Sequence, residues 1–315
     1  MPKAISVHVG LNHVDHGAYG GWDGTLAGCI NDAHDLAVIA TSEGFRTSIL
    51  VDRQATAGAV LSAVRAAASR LTAGDVFLLT FAGHGGQIED VDDELAEPHG
   101  FDQTWACWDR QLLDDEMHAA LAEFARDVRV IVVADSCHSG TVTRNAMSPS
   151  PPVRTPDGAR RARMIPAAVA RGDALRRHGT YIRARRNARA ELRRAMARLR
   201  TLNRREAGLR KPTACLGARV VFLAGCQDNQ VSYDGPGNGA FTAALLAVWN
   251  GGRFDGTYAD LVSAIRARMT SQTPQYLAVG LGASAWEATR PFIVDITDDL
   301  EPIGVLDATE LRATR

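Results

Sequence analysis

Residues Val128–Gly140 read VRVIVVADSCHSG. From Val128 to Val133 the run is apolar except for Arg129, as suits a strand covered on both faces within a parallel sheet. Polar chemistry follows at once. Asp135, Ser136, Cys137, His138 and Ser139 come just beyond the carboxyl end of that strand, where open α/β sheets place their ligand crevices. A cysteine at such a point is a candidate nucleophile, reactive as its thiolate.

A base is offered at an equivalent place. Asp75–Phe81 (DVFLLTF) is a second buried-strand pattern and runs straight into Ala82-Gly83-His84-Gly85-Gly86. Glycines on either side of His84 let another backbone approach it closely. His84 and Cys137 at two strand ends make a dyad, in which the imidazole takes the thiol proton and later returns it to a leaving amine. The backbone N–H groups of Gly85 and Cys137 are the natural donors to the oxyanion that develops.

Working outward, Ile5–Val9, Phe45–Val51 and Ala218–Ala224 read as further strands, and Pro291–Ile296 as a last one. Helices are predicted from Asn31 or Asp32 to Ala40, over Thr56–Leu71, along GNGAFTAALLAVW and over Thr257–Met269. On its own, Asp32 reads as an N-cap. Strands and helices alternating at short intervals imply parallel pairing through right-handed crossovers. The expected fold is therefore α/β, a mainly parallel central sheet of about six strands flanked by helices. Gln87–Glu116 is very acidic and reads as a loop leading into a capped helix.

A chain of 315 residues with 46% hydrophobic content fits one large domain or two small ones. The net charge of −1 hides an asymmetry, since acidic residues crowd the part before position 140 and more than half of the arginines lie between Arg144 and Arg210. Five scattered cysteines with no CxxC pair point to free thiols in a reducing compartment. MPKAISVHVG enters a strand without the blocks of a signal peptide, and no apolar run approaches the roughly 18 residues of a membrane span. A cytoplasmic protein with no membrane partner is expected.

FAGHGG around His84 and ADSCHSG around Cys137 resemble the caspase/metacaspase superfamily of cysteine peptidases, peptidase C14. The DSCHSG form is similar to metacaspases and to their bacterial relatives, the orthocaspases. The likeness covers about residues 4–144 and 216–296. It implies a caspase-hemoglobinase fold with a p20-like catalytic part at 1–144 and an Arg-rich insertion at 145–215 that serves as processing region. A p10-like part at 216–315 would complete the sheet and the substrate groove.

The resemblance also assigns a pocket. Gly28-Cys29-Ile30-Asn31-Asp32-Ala33 matches the metacaspase pattern that supplies an acid to the substrate pocket, so Asp32 and Asp135 are expected there with Cys29 lining it. Two carboxylates accept the forked donors of a guanidinium or the point charge of an ammonium, which implies cleavage after Arg, with Lys admitted. Ala82 stands where metacaspases often have Ser. The loop from Gly225 to Asp234 resembles one that lines the groove. The chemistry requires no cofactor. A family calcium site would fall on Asp102, Asp114 and Asp115, and Arg144, at the place of a further family acid, opposes it.

The insertion reads as an exposed linker over Met147–Pro156, then as basic helix or helical hairpin from Asp173 to Leu209. Its arginines suit a solvated face, a phosphate-binding surface or a substrate of an Arg-cleaving protease. Aromatic interleaving is limited to Tyr181, so nucleic acid is not the expected partner. The resulting expectation is a monomeric, latent cysteine endopeptidase: cleavage or displacement of the insertion releases it, an upstream protease is a candidate activator, and bacterial stress or defence is the setting. Its partners are protein substrates with a basic residue before the cut. The alternative is a binding module on a caspase-like scaffold whose Arg-rich helix recruits nucleic acid or an acidic partner. Intact His84 and Cys137 favour the enzyme. His138 reads as shaping the loop, and His8, His13, His16 and His34 as surface or packing residues.

Overall fold

All seven residues of the strand that leads to Cys137, Arg129–Asp135, are buried, and helices cover both of its faces. The computed structural model describes residues 2–89, 101–137, 161–174, 176, 216–227, 230–279 and 286–295. In chain order its elements are β1 (Ala4–Gly10), α1 (Cys29–Ser42), β2 (Arg46–Val51), α2 (Ala57–Ala68), β3 (Val76–Ala82), β4 (Gly85–Glu89), β5 (Phe101–Ala106), β6 (Gln111–Leu113), α3 (Asp114–Leu121) and β7 (Arg129–Asp135). After these come α4 (167–174), β8 (Arg219–Ala224), α5 (Ala240–Trp249), α6 (Tyr258–Ala267) and β9 (Gln275–Val279).

The main sheet has six strands in the order β2-β1-β3-β7-β8-β9, all parallel except β9, which runs antiparallel to β8. Side chains alternate between its faces with the strand period of two. Val130 and Val132 join Phe77, Leu79, Val60 and Phe124 on the α2/α3 side, whereas Ile131 and Val133 join Leu78, Val221, Leu245 and Val262 on the α1/α5/α6 side. Because both faces are covered, the central strands β3 and β7 read as nearly continuous apolar runs.

Register then sets the working edge. Gly10 pairs with Ala82 and Ala82 with Asp135, while Ala134 pairs with Ala224, so β1, β3, β7 and β8 all end at one level. His84 lies two residues past the end of β3 and Cys137 two residues past the end of β7.

Several expectations need correction. The acidic stretch read as a loop contains a three-stranded antiparallel sheet, β4-β5-β6, with Gly86 opposite Thr104 and Trp105 opposite Leu112. Its few apolar groups are well used: Trp105 stacks on Phe81 with ring centroids 4.4 Å apart. Residues 291–295 form no strand, and the antiparallel edge is supplied by β9 instead. Phe292 has φ 61°, which breaks an extended run, and the carbonyls of Ile293 and Val294 are turned toward Arg129. Gly28, not Asp32, caps α1. Residues 145–160 and 177–215 of the insertion, including the expected linker and nearly all of the Arg-rich helix, lie outside the described residues, and so does His138.

Arg129 explains its own place in an apolar strand. Its guanidinium donates to the carbonyls of Gly74 (3.0 Å), Ile293 (3.0 Å) and Val294 (2.6 Å), tying the start of β7 to the chain's 291–295 segment. Arg129→Met keeps the aliphatic stem and removes these donors, leaving three part-buried carbonyls unpaired. A loss of about 2–3 kcal/mol in urea unfolding is expected.

Candidate active site

Residues 161–165 run through the crevice at the sheet edge as an extended strip. The Arg163 N–H donates to the Ser232 carbonyl (2.9 Å) and the Asp234 N–H to the Arg161 carbonyl (2.7 Å), with Ala162 bridged antiparallel to Tyr233. On the other side the Gly85 N–H donates to the Arg163 carbonyl (3.0 Å), and the Ile165 N–H donates to the Gly85 carbonyl (3.0 Å). The Cys137 N–H also donates to the Arg163 carbonyl, at 3.2 Å. Two backbone donors from two different strand ends therefore converge on one carbonyl oxygen.

The side chain of Arg163 fills a pocket between α1, β7 and α5. It is fully buried, and so are its partners Asp32, Asp135 and Asp234 (0, 1 and 3% exposed). Nη2 lies 2.5 Å from Asp32 Oδ2 and 3.0 Å from Asp234 Oδ1, and Nη1 lies 2.9 Å from Asp135 Oδ2. One cation among three carboxylates leaves negative charge in excess. Helix starts meet part of it: Asp32 accepts from the Gly239 N–H (3.0 Å) and Asp135 from the Thr242 N–H (3.2 Å) at the beginning of α5. Asp234 accepts from the Ala27 (2.7 Å) and Gly28 (3.0 Å) N–H groups at the beginning of α1. Hydroxyls of Ser232 (2.5 Å) and Thr242 (2.9 Å) complete the shell of Asp135.

These surroundings shift titrations. Burial pushes the Asp32 carboxyl up to about 6; Arg163 pulls against that shift and the like charge of Asp135 adds to it. For Arg163, burial opposes the charge, and Asp135 with the other anionic neighbours more than offsets it, so the guanidinium is held charged. Burial drives the Cys29 thiol well above its usual range. Cys29 feels the charges of Arg163 and all three carboxylates, and it stands beside them as a neutral wall.

His84 and Cys137 flank the strip. Cys137 is buried, and its Sγ accepts from the Ser232 N–H at 3.1 Å. His84 Nε2 lies 3.0 Å from the Gly24 carbonyl, which only accepts, so the proton is on Nε2. Nδ1 is then an unprotonated nitrogen, buried with no hydrogen-bond partner. Burial lowers the imidazole pKa to about 4, with the Gly24 backbone countering it, and the Met164 backbone is near enough to act on it as well. Trp22 sits edge-on to the ring at 4.7 Å between centroids.

Glycines make this approach possible. A Cβ on Gly85 would fall on the Cys137 carbonyl, and one on Gly239 would lie 2.5 Å from Arg163 Cζ, Arg163 Nη2 and Asp135 Oδ2. Neither position admits a side chain.

The family model for the caspase domain, peptidase C14, matches residues 13–284. This chain belongs to the caspase-domain peptidases. It is similar to metacaspase-1 of Mycosarcoma maydis, with 28% identity over 308 residues that span 87% of this chain and 69% of that protein. Metacaspase-1 of Saccharomyces cerevisiae is 32% identical over 149 residues, 42% of this chain and 33% of the yeast protein. A crystallised protein from Geobacter sulfurreducens is 38% identical, with a TM-score of 0.71 over 94% of this chain and 100% of that one. The chain is thus a metacaspase-like member of a cysteine peptidase family, on a six-stranded, mostly parallel caspase-like sheet.

In this caspase-domain protein the residues singled out from sequence as Cys137, His84, Gly85, Asp32, Asp135 and Cys29 all come together at one edge. Asp102, Asp114 and Asp115, the acids of the expected calcium site, lie on β5 and in the first turn of α3. Asp114 accepts from the backbone N–H groups of Gln103 and Asp115, both at 3.2 Å, while the side chain of Asp102 lies outside the described residues. Among the described residues no group of three or more His, Cys, Asp or Glu is placed to hold a metal ion. No helix among them is long and apolar enough to cross a membrane.

Sequence reasoning placed Ser232 and Asp234 in a groove-lining loop without giving either a role, and missed Arg163 and Gly239. Asp234 lies in a loop that also carries Asp228, and nothing local separates the two. Arg163 is one arginine among many in the insertion. In a Cys137→Ala background, Gly239→Ala is expected to drive the guanidinium from its pocket. Limited trypsin digestion followed by mass spectrometry should then show the cut after Arg163 at least tenfold faster than with Gly239 intact.

Proposed function

We propose that this chain is a cysteine endopeptidase that cleaves after arginine, and that the bond between Arg163 and Met164 is its own first substrate. One observation carries the reading. The same residue places its guanidinium among Asp32, Asp135 and Asp234 and its carbonyl oxygen between the Gly85 and Cys137 N–H groups. A structural arginine needs the first arrangement and has no use for the second, which is the geometry of an oxyanion site.

The steps follow from the groups present. Neutral His84 takes the Cys137 thiol proton on Nδ1 as Sγ attacks the Arg163 carbonyl carbon, and the oxygen gathers charge against the two N–H donors. Collapse breaks the bond to the Met164 nitrogen, which receives the proton from His84. A thioacyl-enzyme remains on Cys137. Water, deprotonated by His84, then releases the Arg163 carboxylate and restores the thiol. No step calls on a metal.

Selectivity follows from charge. A neutral isostere of arginine would leave three buried carboxylates without a cation, a loss on the order of 3–5 kcal/mol. Lysine brings a point charge that cannot fork to Asp32 and Asp135 together, and is the poorer substrate. In the intact chain residues 161–165 fill the groove, so the enzyme is latent until that strip is cut and leaves or is displaced. This accounts for control by the insertion without a separate activator.

Kinetics with matched peptides carrying Arg or citrulline before the cut should show kcat/KM at least hundredfold higher for Arg. Cys137→Ala and His84→Ala should each remove turnover of the Arg peptide; retained turnover in either sinks the dyad.

The pH dependence has a definite sign. Lowering pH through about 6 protonates Asp32 and weakens the hold on the guanidinium, while His84 stays neutral down to about 4. The rate of self-cleavage should fall below pH 6, steepening toward tenfold per unit. Asp32→Asn should lower the rate at neutral pH and flatten that limb.

A further inference from the structure

The peptidase reading leaves the far side of the strip unexplained. Beyond the cut, Met164 is half-buried and Pro166, Ala167 and Ala168 are exposed, yet Ile165 between them is only 3% exposed. It joins the apolar cluster that includes Trp105, Leu112 and Ala170. Gly85 fixes where this side chain enters. Its N–H holds the carbonyl before Met164 and its carbonyl holds the N–H after it, each at 3.0 Å.

The receiving surface is built from β4, β5 and β6. A Cβ on Gly86 would fall on Ile165 Cγ2, and would lie 3.1 Å from Thr104 Oγ1 and 3.4 Å from Gln111 Oε1. Thr104 Oγ1 donates to Gln111 Oε1 (2.8 Å), and Gln111 Nε2 donates to the Ala170 carbonyl (2.9 Å). The polar wall is satisfied within itself and turns no unpaired group toward the incoming side chain. A charged side chain there would lose its water without gaining a partner, and glycine would leave the space unfilled.

We propose that this is a substrate subsite, floored by Gly86 and walled by Thr104 and Gln111, that selects a branched aliphatic residue two places after the cut arginine. The proposal rests on the peptidase reading and adds a second determinant to it. The substrates it defines carry Arg before the bond, an undemanding residue after it and then Ile or Val. Ile165 is the chain's own occupant.

The test uses the full chain, both unmodified and with Arg163→Ala to release its own strip. Each is given acetylated peptides Ala-Arg-Met-X-Pro-Ala with X as Ile, Val, Gly or Asp, and kcat/KM is read from mass-spectrometric progress curves. Ile and Val are expected to exceed Gly and Asp by about tenfold or more. Gly86→Ala should bring the Ile-to-Gly ratio to within twofold; if that variant does not fold, the ratios on the other two chains decide. Cleavage after Arg at equal rates for all four peptides overturns the subsite and leaves the Arg-specific peptidase standing. No cleavage of any peptide by either chain overturns the peptidase reading and the subsite with it.

Discussion

A buried guanidinium surrounded by three buried carboxylates is costly to assemble, because each ion gives up its water and the carboxylates repel one another. In this protein the charges are Arg163 against Asp32, Asp135 and Asp234. The carboxylates are supplied by the first turn of α1, the end of β7 and the loop before α5. N–H groups at the starts of α1 and α5 offset part of the excess negative charge. A pocket of this kind tolerates a cation far better than vacancy. Much of the architecture around it, including the bare backbone of Gly239, serves to keep that space open for a flat, forked group.

The sheet turns this local charge balance into chemistry. Parallel strands of matched register end together, so the segments after β3 and β7 begin at one level and carry His84 and Cys137 to the same place. Asp135 is the last residue of β7 and Cys137 is two residues on. The pocket and the sulfur are therefore parts of one short segment, and an arginine held by Asp135 has its carbonyl delivered to the Cys137 N–H. On the proposed reading, recognition and positioning for attack are one event, which is how binding energy is directed into reaction.

The strip at 161–165 is held on both sides of the bond in question. Before it lie the pairing with Ser232 and Asp234 and the arginine pocket; after it lie Gly85, the Ile165 cavity and α4, whose Asp173 accepts from the Gln111 N–H at 3.1 Å. Such a segment excludes water from the imidazole, which is one reason the His84 pKa falls to about 4. On the proposed reading it also fills the groove that any other peptide would use. On that reading, latency arises from occupancy by a connected piece of chain, whose local concentration no free peptide matches.

Local sequence pattern is enough for five strands of the main sheet, for their parallel sense and for the two residues at its working edge, and it misses the antiparallel β9. Each of those follows from local pattern: buried strands read as unbroken apolar runs, and His84 and Cys137 stand directly after two of them. Acidic composition concealed β4, β5 and β6, since alternation there is carried by a few residues such as Trp105 and Leu112. The pocket's third carboxylate and its occupant were settled by long-range packing. Asp32 and Asp234 are brought together by the packing of α1 against the loop before α5, and Arg163 reaches them only because its backbone pairs with residues 232–234. No local pattern marks one aspartate in a loop or one arginine among many. Long-range strand pairing and charge burial, which act between residues far apart in the chain, selected them.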